Sequence, residues 1–230
     1  MLTKDKLLND LKRLSDKKQA KILQRFFKTG PGEYGAGDIF WGIKVPKIRE
    51  VVSRYTQLGF QDIEKLMRNP VHEVRLSALL ILVERYKTDP ERTYQTYLKN
   101  TKHINNWDLV DLSAHQIVGA YLENKDKAVL FRLARSKSLW ERRIAIIATF
   151  QYIKNYFPEH TLSIARVLLK DKEDLIHKAV GWMLREVGKR CSINSEVIFL
   201  RKYSKIMPRT MLRYAIEKFP ESKRKHYLGK

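Results

Sequence analysis

The sequence has 230 residues, of which 43% are hydrophobic and 10% aromatic, a composition typical of globular and not of disordered chains. Lysine and arginine outnumber aspartate and glutamate by 46 to 25, and the resulting charge of +21 is spread along the chain, which favours a polyanionic partner such as nucleic acid. No run approaches the roughly 18 consecutive apolar residues of a membrane-spanning helix, and a single cysteine excludes an internal disulfide framework and a Cys-rich zinc site.

The first segment, MLTKDKLLNDLKRL at 1–14, is amphipathic and mixed in charge. It lacks the uninterrupted apolar stretch of a secretory signal, so we expect a cytoplasmic protein. We predict one domain over residues 1–230 that acts as a monomer, associates with the nucleoid and makes no membrane contact. A protein that is basic only for solubility would share this composition.

A glycine-rich segment, TGPGEYGAGDIFWG, occupies residues 29–42. No GK[ST] motif follows its five glycines, which argues against a nucleotide-binding loop. We predict a flexible loop at the mouth of a groove, from which Tyr34, Phe40 or Trp41 contacts DNA.

Apolar residues at three- and four-residue spacing predict helices along nearly the whole chain. The predicted helices are separated by turn signals at Asn69-Pro70, Asp89-Pro90, Phe157-Pro158 and Phe219-Pro220. Four segments are similar to one another, each with a basic residue before an apolar run: EVRLSALLILV at 73–83, ERRIAIIATF at 141–150, IHKAVGWML at 176–184 and MLRYAIEKF at 211–219.

The basic residues of these segments recur at a regular interval. They are Arg75, Arg143, Lys178 and Arg213, separated by 68, 35 and 35 residues. A period of about 35 residues, with a helix pair in each unit, is typical of an α-solenoid, and Val74, Arg75 and Ala78 favour HEAT-like units. We therefore predict an all-α solenoid of about six HEAT-like helix pairs with a concave basic groove.

Corresponding residues of stacked repeats form a row. This predicts that Arg75, Arg143, Lys178 and Arg213 line the groove and contact DNA phosphates. In the alternative, these cations pair with acids of adjacent repeats, such as Glu73, Glu141 and Glu186, and only join the repeats together.

The repeat expected near residue 108 has the sequence NNWDLVDLSAHQIVGAYL, with acids where the other repeats have a base. Trp107, Asp108 and Asp111 can share one side of a helix. One of Asn105, Asn106 and Asp108 is expected to cap this helix. Asp111 lies too far inside it to cap, although it could pair with Arg143.

Trp182 lies one turn beyond Lys178 and one turn before Arg185, and Gly181 beside it permits close approach. Tryptophan is more often a core residue than a ligand-binding one. Its position next to the basic row in this repeat nevertheless favours contact with DNA.

Four motifs together resemble the AlkD-type HEAT-like-repeat alkylpurine DNA glycosylases of the DNA alkylation repair family. They are GIKVPKIRE, NNWDLVD, LWERRIAI and IHKAVGWMLRE, and the resemblance extends from about Gly42 to Phe219. It implies a monofunctional glycosylase that removes N3- or N7-alkylated, cationic purines from double-stranded DNA without turning the lesion into a deep pocket. It also implies that no metal or organic cofactor is needed.

The same resemblance assigns roles to individual residues. It implies that Asp111 is the catalytic carboxylate, that Trp107 and Trp182 pack on the deoxyribose of the lesion, and that Arg143 is the arginine of the groove. Lys178 and Arg185 match further basic positions expected to contact the DNA backbone. The sequence departs from the family pattern in the glycine-rich segment at 29–42.

Two other functions remain open at this stage. A non-catalytic HEAT-like protein that binds branched or distorted DNA would share the repeat, the groove and the charge, and an adaptor for acidic proteins would share the repeat and the charge. Other enzyme classes fit less well, because the six histidines lack metal-ligand spacing and no paired carboxylate cluster suggests a magnesium nuclease. Cys191 is expected to be a bystander.

Overall fold

The computed structural model describes residues 2–229, which form helices, turns and one isolated bridge between Ile39 and Val71. The predicted all-helical fold is confirmed for these residues. The chain divides into two compact units, Met1–Ser113 and Ala114–Lys230.

The first unit is built around one almost completely buried helix. Its helices are α1 (Lys4–Arg13), α2 (Lys17–Phe26), α3 (Val45–Val52), α4 (Phe60–Met67), α5 (His72–Arg85), α6 (Pro90–Lys99) and α7 (Trp107–Asp111). Helix α5 packs against α3, α4, α6 and α7. It is apolar on nearly every side from Leu76 to Leu82, as expected of a helix surrounded by others.

The second unit is centred on its longest helix. It contains a π-helical turn (His115–Gly119) and helices α8 (Ala128–Ala134), α9 (Leu139–Ala148), α10 (Phe150–Lys154), α11 (Glu159–Val167), α12 (Asp174–Arg190), α13 (Ile193–Tyr203), α14 (Arg209–Ala215) and α15 (Glu221–Leu228). Helix α12 packs against α9, α10, α11, α13 and α14.

Gly181 lets α12 and α14 approach closely. A β-carbon at Gly181 would lie 2.4 Å from the carbonyl oxygen of Met211 and 2.5 Å from the β-carbon of Tyr214. Any larger side chain at this position would therefore force the two helices apart.

The four repeated segments lie mainly in α5, α9, α12 and α14, and the predicted turn signals fall between helices or at the start of one. The Asp89-Pro90 signal marks the start of a helix. Asp89 caps α6 by accepting a hydrogen bond from the backbone of Arg92, with Pro90 as the first helical residue.

The glycine-rich segment forms turns between α2 and α3. Gly30, Gly32 and Gly35 have the G-x-G-x-x-G spacing of a dinucleotide-binding turn, but within the described chain no strand precedes them and no helix begins there. Gly42 closes the segment with a φ of +84°, and a β-carbon there would lie 2.1 Å from the carbonyl oxygen of Asp16. Only glycine fits this position without displacing the start of α2.

Candidate functional site

The unusual repeat near residue 108 forms a single helical turn, α7. Asn106 caps it, because its side-chain oxygen accepts a hydrogen bond of 2.8 Å from the backbone N–H of Trp107. The predicted capping role of this asparagine cluster is thus confirmed. Helix α7 is shorter than predicted, since Asp111, expected well inside a helix, is its last residue.

Trp107 and Asp111 both line a half-open cavity of about 480 Å³ within the first unit. Apolar and aromatic side chains form most of its wall, and they include Leu23, Phe26, Phe27, Phe40, Ile43 and Leu76. The polar groups that line it include His72, Asp108 and Asp111. A mostly apolar cavity with a few charged groups is the usual form of a ligand-binding site.

The aromatic rings of this cavity are packed in a continuous series. Phe27 stacks on two rings: its ring centroid lies 5.2 Å from that of Trp107 and 5.1 Å from that of Phe40. Phe26 meets Trp107 edge to face at 5.8 Å, although Phe26 itself is 61% exposed. Phe26, the last residue of α2, and Phe27, the C-cap of α2, therefore hold Trp107 from two sides, and Trp107 remains half-buried.

A buried chain of charged groups lies beside these rings. The His72 side chain is 2% exposed. Its Nε2 atom lies 2.8 Å from Oδ2 of Asp108, and its Nδ1 atom lies 3.2 Å from Oδ2 of Asp38. Asp38 also accepts a hydrogen bond of 2.7 Å from Nη2 of Arg75 and one of 3.1 Å from Nδ2 of Asn105. Arg75, Asp38, His72 and Asp108 are called the buried relay below.

The relay favours the charged form of its histidine. Burial lowers the pKa of His72, but the charge and hydrogen bond of Asp108 and the hydrogen bond of Asp38 outweigh it and raise this pKa to about 9. For Asp38, burial raises the pKa, while His72 and Arg75 lower it by more, so that it lies below its usual value. At neutral pH, His72 is thus an imidazolium that donates a hydrogen bond to each carboxylate.

The burial of Arg75 corrects one sequence prediction. Arg75 was expected in an exposed row, but it is 5% exposed, and its Nη1 donates to the backbone carbonyls of Asn69 and Pro70 at 3.0 Å each. Its carboxylate partner is Asp38 and not Glu73, the acid considered from the sequence. Arg75 therefore joins elements of the first unit inside the relay.

Glu73 instead fixes the end of the glycine-rich segment. Its carboxylate accepts hydrogen bonds from the backbone N–H groups of Trp41, Gly42 and Ile43, at 3.1, 2.8 and 3.1 Å. Phe40, expected to contact DNA, is 5% exposed and stacks on the His72 ring at 4.5 Å, so it belongs to the interior. Tyr34 and Trp41 are half-buried, and their contact with DNA stays a prediction.

In the second unit, Trp182 is half-buried and has a different environment. Its ring lies 6.2 Å from that of Phe150, which in turn meets His115 edge to face at 5.4 Å. Burial and the nearby Lys154 lower the pKa of His115 to about 4, so this ring is neutral at physiological pH. A neutral imidazole therefore lies near Trp182, on the far side of Phe150.

The predicted phosphate-binding residues of the second unit differ in exposure. Arg143 is 5% exposed and donates to the backbone carbonyl of Leu175 at 2.5 Å. Arg185 is partly exposed and pairs with Glu186 and Glu217. Lys178 has a 40% exposed side chain that pairs with Asp174 at 2.7 Å, and Arg213 is exposed. Contact of these four residues with DNA stays a prediction.

Two negative findings concern residues 2–229. No group of three or more His, Cys, Asp or Glu side chains in this part of the chain could hold a metal ion. Among the helices described, none is both long enough and apolar enough to cross a membrane.

Sequence reasoning missed the relay and most of the aromatic wall. A signal for the relay does exist, because His72 follows Asp38 by 34 residues and precedes Asp108 by 36, close to the 35-residue period of the basic residues. Searching for complementary charges one period apart would have found it. The roles of Phe26 and Phe27 depend on how α2 packs, and no spacing in the sequence predicts them.

Comparison with known proteins agrees with the resemblance seen in the sequence. One solved structure, described as a predicted DNA alkylation repair enzyme from Enterococcus faecalis, has the same fold, with a TM-score of 0.74, 14% identity, and coverage of 90% of this chain and 97% of that chain. A search of curated proteins finds no match. The family model described as DNA alkylation repair enzyme matches residues 7–219. Since this match spans most of the sequence, the chain belongs to the DNA alkylation repair enzyme family.

Proposed function

We propose that the protein is a monofunctional DNA glycosylase that hydrolyses the N-glycosidic bond of N3- or N7-alkylated purines in double-stranded DNA. One observation carries the proposal: Asp111 and Trp107, at the two ends of α7, line the same aromatic cavity. The DNA alkylation repair family and the charge of +21 support DNA as the substrate.

Asp111 supplies the electrostatic part of the mechanism. An alkylated purine already carries positive charge, and as its bond to C1′ stretches, the electron pair moves to the base and leaves an oxocarbenium-like sugar. A carboxylate about 4 Å from this new charge stabilises it by roughly 4 kcal/mol at an effective dielectric constant near 20. That free energy corresponds to about a thousandfold in rate.

The reaction is completed by water. Asp111 orients a water molecule for attack at C1′ and accepts its proton, so that the products are a neutral alkylpurine and an abasic site. Asp108 is a poor candidate for this role, because it is 6% exposed and bonded to His72. Asp111 lines the same cavity and is half-buried, so we assign the contact with water and DNA to it.

Trp107 supplies an aromatic face to the electron-poor sugar, in the manner of a cation–π contact. Its stacking on Phe27 and its edge contact with Phe26 fix the ring before DNA binds. In the second unit, we assign Trp182 to packing on a DNA sugar by the same chemistry. Both assignments also follow from the AlkD-type resemblance.

Phosphate contacts are assigned mainly to α12 and α14. Lys178 and Arg185 are seven residues apart on α12, so they lie on one side of it, and Arg213 is exposed on α14. The ion pair of Lys178 with Asp174 is partly exposed, and such pairs contribute little stability, so a phosphate can replace the carboxylate. Arg143 is 5% exposed and holds the start of α12 through Leu175, so we assign it to orienting these groups.

We also assign the helices to HEAT-like repeats. Consecutive helices pack as pairs inside each unit, as α4 with α5, α8 with α9, and α12 with α13. The 35-residue spacing of Arg143, Lys178 and Arg213 supports the same assignment.

Incubation with alkylated DNA tests the proposed function. The protein is mixed in excess with duplex DNA that contains 7-methylguanine, and free base is measured against time. We expect release of the cationic 7-methylguanine and none of the neutral uracil from a matched duplex, because uracil lacks the positive charge that makes the alkylpurine a good leaving group. Tight binding of branched or distorted DNA without any base release would instead indicate the non-catalytic binder.

A further inference from the structure

We propose that His72 is a positioning residue, which sets the placement of Trp107 and Asp111 by holding the first turn of α7 between Asp108 and Asp38. The inference deepens the proposed function and rests on it for the chemistry of Asp111. It concerns a buried group that the proposed mechanism does not otherwise use.

The geometry around α7 carries this inference. Asp108 is the second residue of α7, and its two carboxylate oxygens have different partners: Oδ2 bonds the His72 ring at 2.8 Å, and Oδ1 accepts from the backbone N–H of Leu109 at 2.9 Å. The Leu109 bond lies within α7 and fixes the Asp108 carboxylate relative to the helix, so a rotation of α7 that moved Trp107 or Asp111 would break the bond to His72. The His72–Asp108 bond adds a directional polar contact to the apolar packing of Leu109 and Val110, which are both 0% exposed.

The His72 ring itself cannot move freely. It stacks on Phe40 with centroids 4.5 Å apart and is tilted against Phe27 at 5.0 Å. Phe27 is also the ring on which Trp107 stacks. Trp107 is therefore linked to His72 twice, through Phe27 and through Asp108.

Only a protonated ring satisfies both carboxylates. A neutral imidazole has one N–H donor and one lone pair, so one of its nitrogens would face a carboxylate without a proton between them. With the pKa of His72 raised to about 9, both hydrogen bonds are present at neutral pH, and one is lost as the pH rises above 9.

Charged groups approach His72 from several elements. Asp38 comes from the glycine-rich segment, Asp108 from α7, and Arg75 from the next turn of α5. Asp111 of α7 and Lys44 before α3 line the same cavity. The two bonded carboxylates dominate, because burial and Arg75 act in the opposite direction and the pKa is nevertheless raised.

A fluorescence titration tests the positioning without requiring activity. Tryptophan emission of the full-length protein is followed from pH 6 to 10. We expect a change centred near pH 9 in the parent, and its absence in Trp107→Phe and in His72→Gln, which keeps a polar side chain but cannot titrate. A change near pH 9 that persists in His72→Gln would overturn the proposal.

Two further variants keep the result interpretable. His103→Gln is the matched control, since His103 lies in the same unit outside the relay and burial lowers its pKa, so the change near pH 9 should remain. If His72→Gln does not fold, Asp38→Asn replaces it. Removal of that carboxylate should shift the change to lower pH, and an unshifted midpoint would contradict the proposal.

The rate of base release tests the consequence for catalysis. Under single-turnover conditions, we expect the parent rate to fall above pH 9, and His72→Gln to be up to about a hundredfold slower at pH 7 with unchanged DNA affinity. A purely structural histidine would lower the unfolding temperature and leave the rate of the folded protein unchanged, which would overturn the positioning role. If the parent releases no base, the proposed glycosylase function fails, and the fluorescence titration alone decides whether His72 positions Trp107.

Discussion

The basic residue that recurs in the repeats has opposite environments on α5 and on α14. Arg75 of α5 is 5% exposed and bonded to Asp38, whereas Arg213 of α14 is exposed to solvent. Both residues occupy the same place in the repeated pattern, before an apolar run. The difference arises because the glycine-rich segment brings a carboxylate to Arg75.

This contrast shows that the basic residue of the repeat can have either of two roles, in a buried ion pair or on the solvent-exposed surface. Where another element brings an acid to the cation and solvent is excluded, the cation becomes part of the interior, and its removal takes a charged partner from a buried carboxylate. Where the position faces solvent, the same residue type is available for phosphate. The buried pair of Arg75 and Asp38 sums to zero, so the net charge of +21 is carried by other residues.

The largest expected difference is in stability. Arg75→Ala leaves Asp38 buried without its guanidinium partner, so the free energy of unfolding should fall by about 3–5 kcal/mol. Arg213→Ala should change it by less than about 0.5 kcal/mol. Urea denaturation at pH 7 measures both values, and similar losses in the two variants would refute the contrast.

The pH dependence of stability tests the raised pKa of His72 in the buried relay. Because the pKa of His72 is raised from 6.5 to about 9 on folding, the folded protein binds a proton that the unfolded chain has released between these values. Its contribution of about 3 kcal/mol is complete below pH 6.5 and is lost as the pH rises through 9.

The quantity to measure is the difference in unfolding free energy between the parent and His72→Gln at several pH values. We expect this difference to shrink steadily from pH 6.5 to pH 9. A constant difference over that interval would show that His72 does not carry a raised pKa.

The smallest expected effect concerns salt. Lys178→Gln should reduce the slope of log affinity for duplex DNA against log salt concentration by about one unit, because one phosphate contact is removed. Lys87→Gln is the matched control in the first unit, where Lys87 is exposed and pairs with Glu84. Equal slopes for Lys178→Gln and the parent would remove Lys178 from the interface.

Local features of the fold could be predicted from the sequence. The apolar runs of α5, α9, α12 and α14 have helical spacing, and the proline-containing turns between them restrict the backbone locally, so neither depends on distant residues. The cap at Asn106 follows from the same local chemistry.

The buried parts of the site could not be predicted in the same way. The partner of Arg75 is Asp38, 37 residues away and in a segment without regular structure, and the wall around Trp107 comes from Phe26 and Phe27 of the α2 region. These contacts depend on how distant elements pack, which a periodicity does not encode. The shortness of α7 was missed because its apolar residues continue past the point where the helix ends.

The most direct test of the central claim is the rate of 7-methylguanine release by Asp111→Asn. Under single-turnover conditions on alkylated duplex DNA, we predict a rate about a thousandfold below that of the parent, with DNA affinity retained, because only the carboxylate charge is removed. Asp62→Asn, a change of the same kind outside the cavity, should behave as the parent. Release by Asp111→Asn at the parental rate would contradict the assignment of catalysis to Asp111.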